Sequence, residues 1–157
     1  MVNNNGKDYR LTEEGLKKYQ NELERLKSER QKVAQRLKEA KEAGDLSENV
    51  EWSSAMDDYK FVESHIEEVE DVLQHAQVVK PPKQHAEAQF GSIVTIKDGG
   101  PEKEYFLVGS LEADPEKDKI SISSPVGQKL IGKKAGDTFQ HTTPSGQTHT
   151  YEIKKIS

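Results

Sequence analysis

Apolar positions, with one polar exception, recur in steps of three and four at Leu16, Tyr19, Leu23, Leu26, Arg30, Val33, Leu37 and Ala40. They resume at Trp52, Ala55, Tyr59, Val62, Ile66, Val69, Leu73 and Ala76. This is the period of a coiled-coil seam. The two series mirror each other about Leu46. Folding there pairs Ala40 with Trp52, Leu37 with Ala55, Val33 with Tyr59 and Arg30 with Val62, then Leu26 with Ile66, Leu23 with Val69, Tyr19 with Leu73 and Leu16 with Ala76. One register over the whole length predicts an antiparallel hairpin of two helices, each arm ~40 Å long at ~1.5 Å per residue. Arg30 is the misfit; its stem can pack while its head reaches solvent.

Thr12 is placed to cap the first helix, and Gly44 to end it in a left-handed conformation. The second helix is expected to begin near Asp45–Ser47 and to run to about Gln77. Pro81-Pro82 then stops it. Beyond Phe90 the pattern changes to alternation. Strands are predicted over 91–97, 103–108, 119–123, 138–142 and 148–156, with a short helix opened by Ser124-Pro125. The predicted class is α+β, a helical hairpin followed by a small antiparallel sheet with one short helix. The division is a flexible leader over 1–10, the hairpin over 11–79 with its tip at 44–49, a linker over 80–89 and a second domain over 90–157.

Hydrophobic and charged residues each make up 32% of the 157, so the core is modest. Cysteine is absent, which excludes disulfides and thiolate metal sites. No apolar run is long enough to span a membrane and no signal-peptide pattern opens the chain, so the expectation is a cytoplasmic protein. Residues 1–79 carry 12 basic and 18 acidic side chains, and the second helix is acidic nearly throughout. Charge pairing between the helices accounts for most of this asymmetry. A basic stripe for nucleic acid is the sharper alternative, although net acidity disfavours duplex binding.

The stretch Gly44-Asp45-Leu46-Ser47-Glu48-Asn49 carries the candidate chemistry. Asp45 and Glu48 offer hard oxygens three residues apart. Mg²⁺ takes one or two carboxylates and fills its other positions with water and phosphate, so such a pair makes a half-site completed by another molecule. The same spacing fits a capping box with Asp45 as N-cap and Glu48 at the third helical position. From spacing alone capping is favoured, and one residue can do both. The histidines (His65, His75, His85, His141, His149) show no metal spacing that stands out, and no catalytic triad or phosphate-binding loop is visible.

The run from Glu39 through Asp45-Leu46-Ser47-Glu48-Asn49 to Trp52 resembles the signature of the bacterial Gre transcript-cleavage factors. So do Phe61-Val62-Glu63 with Ile66, the run 119–126, Leu130-Ile-Gly-Lys133, Gly136-Asp137 and Tyr151-Glu-Ile153. The resemblance covers nearly the whole chain after the leader. It implies a coiled-coil hairpin and a C-terminal domain of FKBP-like fold. It implies that Ser123, Ser124 and Pro125 dock on the rim of the secondary channel of RNA polymerase. It further implies that Asp45 and Glu48 are carried to the active centre, where they share a Mg²⁺ ion with the polymerase and promote cleavage of the 3′ end of backtracked RNA. Gly44, Leu46, Ser47, Asn49 and Trp52 would support the tip. The chain would be a monomer when free, and not an enzyme by itself. It departs from the family pattern at Trp52, Met56 and Ser64-His65, which removes positive charge from the second helix. A channel binder that inhibits without cleavage, a prolyl isomerase and a structural adaptor are the competing readings. Retention of both acids, the scarcity of pocket aromatics and the tip motif argue against them in turn.

Overall fold

A computed structural model describes residues 8–44, 49–80 and 86–157. The chain divides into two compact units. One is Leu16–Ala76; the other joins Met1–Gly15 to Gln77–Ser157.

The first unit is the hairpin. Helix α1 is Glu13–Glu42, its first residues lying in the other unit, and α2 is Val50–His75. Leu26, Val62, Ile66 and Val69 form a buried cluster, with Tyr19, Leu23 and Leu73 packed against it. Val33, Ala40 and Ala55 of the expected seam are buried as well. The ion pairs report the antiparallel direction. Lys27 meets Glu70 at 3.1 Å, Arg30 meets Glu63 at 3.0 Å, and Arg36 meets Asp58 at 2.8 Å and Glu51 at 2.9 Å. Arg30 therefore turns its head to a partner on α2 rather than to free solvent. These pairs are exposed or, for Arg30 and Glu63, half-buried, so each contributes only about 0.2–1 kcal/mol. Burial of the apolar seam, at ~1.5–3 kcal/mol for a fully buried side chain, holds the arms together.

The second unit is a sheet with a short helix against it. Strands β3 (Ile93–Lys97), β4 (Lys103–Val108), β5 (Lys119–Ser121), β6 (Thr138–Thr142) and β7 (Thr148–Ile156) stand in the order β5-β4-β3-β7-β6. Three of the four pairings are antiparallel as expected, but β4 and β5 run parallel, so the sheet is mixed. The segment between them holds two single-turn helices, at Ser110–Glu112 and Pro115–Lys117, and brings the chain back in the same direction. Helix α3 (Pro125–Leu130) packs on β5 so closely that a Cβ on Gly127 would run into the Ser121 carbonyl. Val94, Ile96, Leu107, Ile122, Leu130, Phe139 and Ile153 form the core.

The boundaries differ from those read in the sequence. Asp8–Arg10, the end of the expected leader, is not loose, and Leu11, expected to open the hairpin, is built in with it. Tyr9 and Leu11 are buried, and β1 (Arg10–Leu11) pairs in parallel with β2 (Gln77–Val78), just beyond α2. Residues 1–7 of the expected leader, and 81–85 of the expected linker, lie outside the described residues. The rest of that linker is built into the unit. Ala88 is buried and exchanges backbone hydrogen bonds with Gly132 and Lys133.

Thr12 does cap α1, its Oγ1 accepting the Gly15 N–H at 3.0 Å. Its hydroxyl and backbone N–H both donate to the buried Glu112 carboxylate, at 2.6 and 2.7 Å. A carboxylate at a helix N-terminus is stabilised by the helix dipole. Gly15 leaves room for it: any Cβ there would overlap the Glu112 carboxyl.

Candidate functional site: the hairpin bend and the Ser123–Pro125 loop

Asp45, Leu46, Ser47 and Glu48 lie outside the described residues. What frames them is described. Helix α1 ends at Glu42, and the Ala43 N–H still bonds the Glu39 carbonyl at 3.1 Å. Gly44 is exposed and does not take the expected left-handed φ. Helix α2 starts at Val50, later than expected, and its N-cap is Asn49 rather than Asp45.

Asn49 explains both differences. Its Oδ1 accepts the Trp52 N–H at 2.9 Å, capping α2. Its Nδ2 donates to the Ala40 carbonyl at 2.7 Å, one of the four carbonyls that α1 leaves unpaired at its end. One amide thus closes the end of one helix and the start of the next. The amide carries its acceptor and its donor on separate atoms, so it can serve both helix ends at once, whereas an ionised carboxylate only accepts. Trp52 is half-buried one turn into α2, and Ala40 and Ala55 of the same seam are buried. Arg36, held between Glu51 and Asp58, ties the first turns of α2 to α1 from the flank. Both carboxylates raise the Arg36 pKa, the Glu51 hydrogen bond most. The charge pairing read in the sequence therefore engages Lys27, Arg30 and Arg36 of α1, and the basic-stripe alternative loses those three cations to partners on α2.

Of the tip residues singled out in the sequence, Gly44, Asn49 and Trp52 are described at the hairpin end, and the geometry gives Asn49 the cap function that spacing had assigned to Asp45. Among the described residues, no group of three or more His, Cys, Asp or Glu is gathered as a metal site.

Ser123, Ser124 and Pro125 stand together at the start of α3. Ser124 is its N-cap, accepting the Gly127 N–H at 3.0 Å and donating to the Ser121 carbonyl at 2.7 Å. Its hydroxyl is therefore occupied in holding the loop. Ser123 is fixed through its backbone N–H to Ser121 Oγ at 3.1 Å, and it and Pro125 are exposed. A groove lies on either side. One, of about 500 Å³, is lined by Tyr105, Lys119, Ile120, Ser124 and Val126 among others. The other, of about 550 Å³, is lined by Arg10, Phe90, Ile122, Ser123, Gln128 and Ile131. Ile131 is 40% exposed and Pro125 exposed, so the loop presents apolar surface beside a fixed backbone. The grooves bring in Arg10, Lys119 and Ile131, which sequence reading missed. No local signal could have found them, since the sheet and the β1–β2 pairing assemble them. Phe90 and Phe139 are core residues, and Tyr105 and Tyr151 pack against that core, which leaves little for an isomerase pocket.

The family models agree with the two halves of the chain. Residues 9–78 match the N-terminal domain of the transcription elongation factors GreA/GreB, and residues 83–157 match the C-terminal domain. The transcription elongation factor GreA of Macrococcus caseolyticus is 41% identical over 154 residues, covering 96% of this chain and 98% of that protein. GreA of Clostridium botulinum (strain Langeland) is 44% identical over 157 residues, with 96% of each chain covered. Among solved structures, the GreA factor homolog 1 of Thermus thermophilus is 26% identical, with 94% of this chain and 97% of that one covered, at a TM-score of 0.44. No helix among the described residues is long and apolar enough to cross a membrane. By its match to both domain models and its identity to full-length relatives, the chain belongs to the GreA/GreB family of transcription elongation factors.

Proposed function

We propose that this protein docks on bacterial RNA polymerase through the loop at Ser123, Ser124 and Pro125. It then inserts the hairpin end into the secondary channel and stimulates Mg²⁺-dependent cleavage of backtracked RNA. The catalytic machinery on this reading belongs to the polymerase, and the chain is not an enzyme alone. The observation that supports it most is the Asn49 cap. Because Asn49 closes both helix ends, α2 needs neither Asp45 nor Glu48 as its cap, and both acids are available for other work.

The donor set at the tip fits the metal. Two carboxylates with hard oxygens suit Mg²⁺, whose other positions are filled by water and phosphate oxygens in sites of this kind. Asp45 and Glu48 would hold it jointly with the polymerase. When bound, such an ion activates an attacking water and neutralises developing phosphoryl charge. The chain's own residues do the positioning. The buried seam keeps the arms stiff, Asn49 fixes the spacing of the helix ends, and the Ser124 cap holds the docking loop. Trp52 and Gly44 flank the acids.

The test uses a defined backtracked elongation complex with Mg²⁺. Wild type should shorten the RNA from its 3′ end. Asp45→Asn and Glu48→Gln should bind as wild type and melt as wild type, yet lose at least the ~10–100-fold that even outer-sphere metal partners contribute. Binding by wild type without cleavage would refute the proposal and leave a channel-blocking inhibitor.

A further inference from the structure

The β6–β7 hairpin brings together two residues eight positions apart in sequence. Its register pairs Phe139 with Tyr151 and His141 with His149. These alternate residues share one face, where the Phe139 and Tyr151 rings stack with centroids 5.1 Å apart. The His149 ring follows 6.2 Å from Tyr151. Both histidines are half-buried. Farther along the ladder, the Thr143 N–H donates to the Gln147 carbonyl at 2.8 Å, and the Ile153 N–H to the Asp137 carbonyl at 2.9 Å. Hydrogen-bonded pairs recur every second residue, so His141 and His149 form one of them, with Cα atoms about 5.5 Å apart.

We propose that His141 and His149 form a cross-strand chelate for a transition-metal ion of the Zn²⁺, Ni²⁺ or Cu²⁺ class, with water in the remaining positions. Imidazole is the commonest side-chain ligand of these ions, and two rings rooted opposite each other can reach one ion at the ~2.0–2.1 Å of a Zn–N bond. Nitrogen donors do not select Mg²⁺ or Ca²⁺, so this site is chemically separate from the tip carboxylates. The hairpin restricts the two ligands before any ion arrives. On the opposite face Thr142 and Thr148 join hydroxyls at 3.0 Å, and the turn is held by Thr143 Oγ1, which lies 2.8 Å from Ser145 Oγ and accepts the Gln147 N–H at 3.3 Å. A bound ion would pin β6, one of the two edge strands of the sheet, to β7.

The test is a titration of the full chain with Ni²⁺ and with Zn²⁺ at neutral pH, read by calorimetry and by nuclear magnetic resonance. Saturable one-to-one binding is expected, with Ni²⁺ broadening centred on the amides around His141 and His149. That localisation is read on wild type and so does not depend on any variant folding. His141→Gln and His149→Gln should each weaken binding by about tenfold or more, or ~1.4 kcal/mol per tenfold. His75→Gln should leave it unchanged; His75 and Asp71 form the competing pair, at 3.1 Å on α2. Mg²⁺ should broaden or shift nothing at the hairpin. Broadening centred on His75, wild-type affinity in either hairpin variant, or no saturable binding below about 1 mM would each overturn the proposal.

Discussion

Replacement of Asn49 separates the two hydrogen bonds that close the hairpin end. Asn49→Ala removes both. Loss of an N-cap costs about 1 kcal/mol, and loss of the donor to the Ala40 carbonyl about another 1 kcal/mol, for ~2 kcal/mol together. Asn49→Ser keeps the first bond, since serine is as good an N-cap as asparagine, but its hydroxyl is too short to bridge to Ala40. It should lose only about half as much. Because the chain has two units, a single global melt is the wrong measure. Hydrogen exchange of the amides in 50–54, and of the seam amides around Ala40 and Ala55, reads the hairpin directly. Wild type should be protected most, Asn49→Ser less and Asn49→Ala least. Equal protection in Asn49→Ser and Asn49→Ala would mean that the Ala40 bond carries the whole effect and the cap nothing. No change in Asn49→Ala would refute the clamp altogether.

Two further outcomes follow from the packing and the charges. Ile66→Ala, in the buried cluster of the hairpin, should cost about 2–4 kcal/mol and lower the melting of that unit, read by circular dichroism at the helix band. Asp8 is held by Arg10, whose guanidinium donates to both its oxygens and lowers its pKa below the ordinary 3.8. A depressed carboxylate pKa stabilises the fold above the unfolded value and loses that contribution as pH falls through the folded one. Wild type should therefore be more stable than Asp8→Asn at neutral pH, with the gap closing only below about pH 4, as hydrogen exchange of the Gln77 and Val79 amides, which bond the Tyr9 and Leu11 carbonyls, would show across that range.

What the sequence revealed depended on period. A seam repeating every three or four residues over sixty positions marks its own buried face, and Leu26, Val33, Ala40, Ala55, Val62, Ile66 and Val69 are buried along it. Strands β3, β4, β6 and β7 follow from alternation, and α3 from Ser124-Pro125. Features without a period were missed. Two-residue strands such as β1 and β2 have no alternation to read, so Asp8–Arg10 reads as a leader and Leu11 as the start of the hairpin. The parallel direction of β5 depends on how the 109–118 segment turns, which composition does not encode. The cross-strand pair of His141 and His149 is invisible until register is known. The start of α2 was misplaced for another reason. Asp45, Ser47 and Asn49 are all good N-cap residues, and the choice fell to the one that also serves the helix before it.

That choice bears on the acids. Had Asp45 been the cap, each substitution there would have weakened the helix and the chemistry together, and lost cleavage would have had two explanations. With Asn49 as cap, the mechanical role and the chemical role proposed for the acids fall on different residues. Asp45→Asn and Glu48→Gln should then leave exchange protection at 50–54 at the wild-type level while cleavage falls. Asn49→Ser should do the reverse in kind, loosening the bend while keeping both carboxylates. Its effect on cleavage measures how tightly the acids must be placed, since misplacement by about 1 Å can cost ~100-fold. If Asn49→Ser loosens the bend and cleaves like wild type, the polymerase rather than the hairpin sets the acid geometry. A loss in proportion to lost protection would show that the amide bridge supplies the positioning.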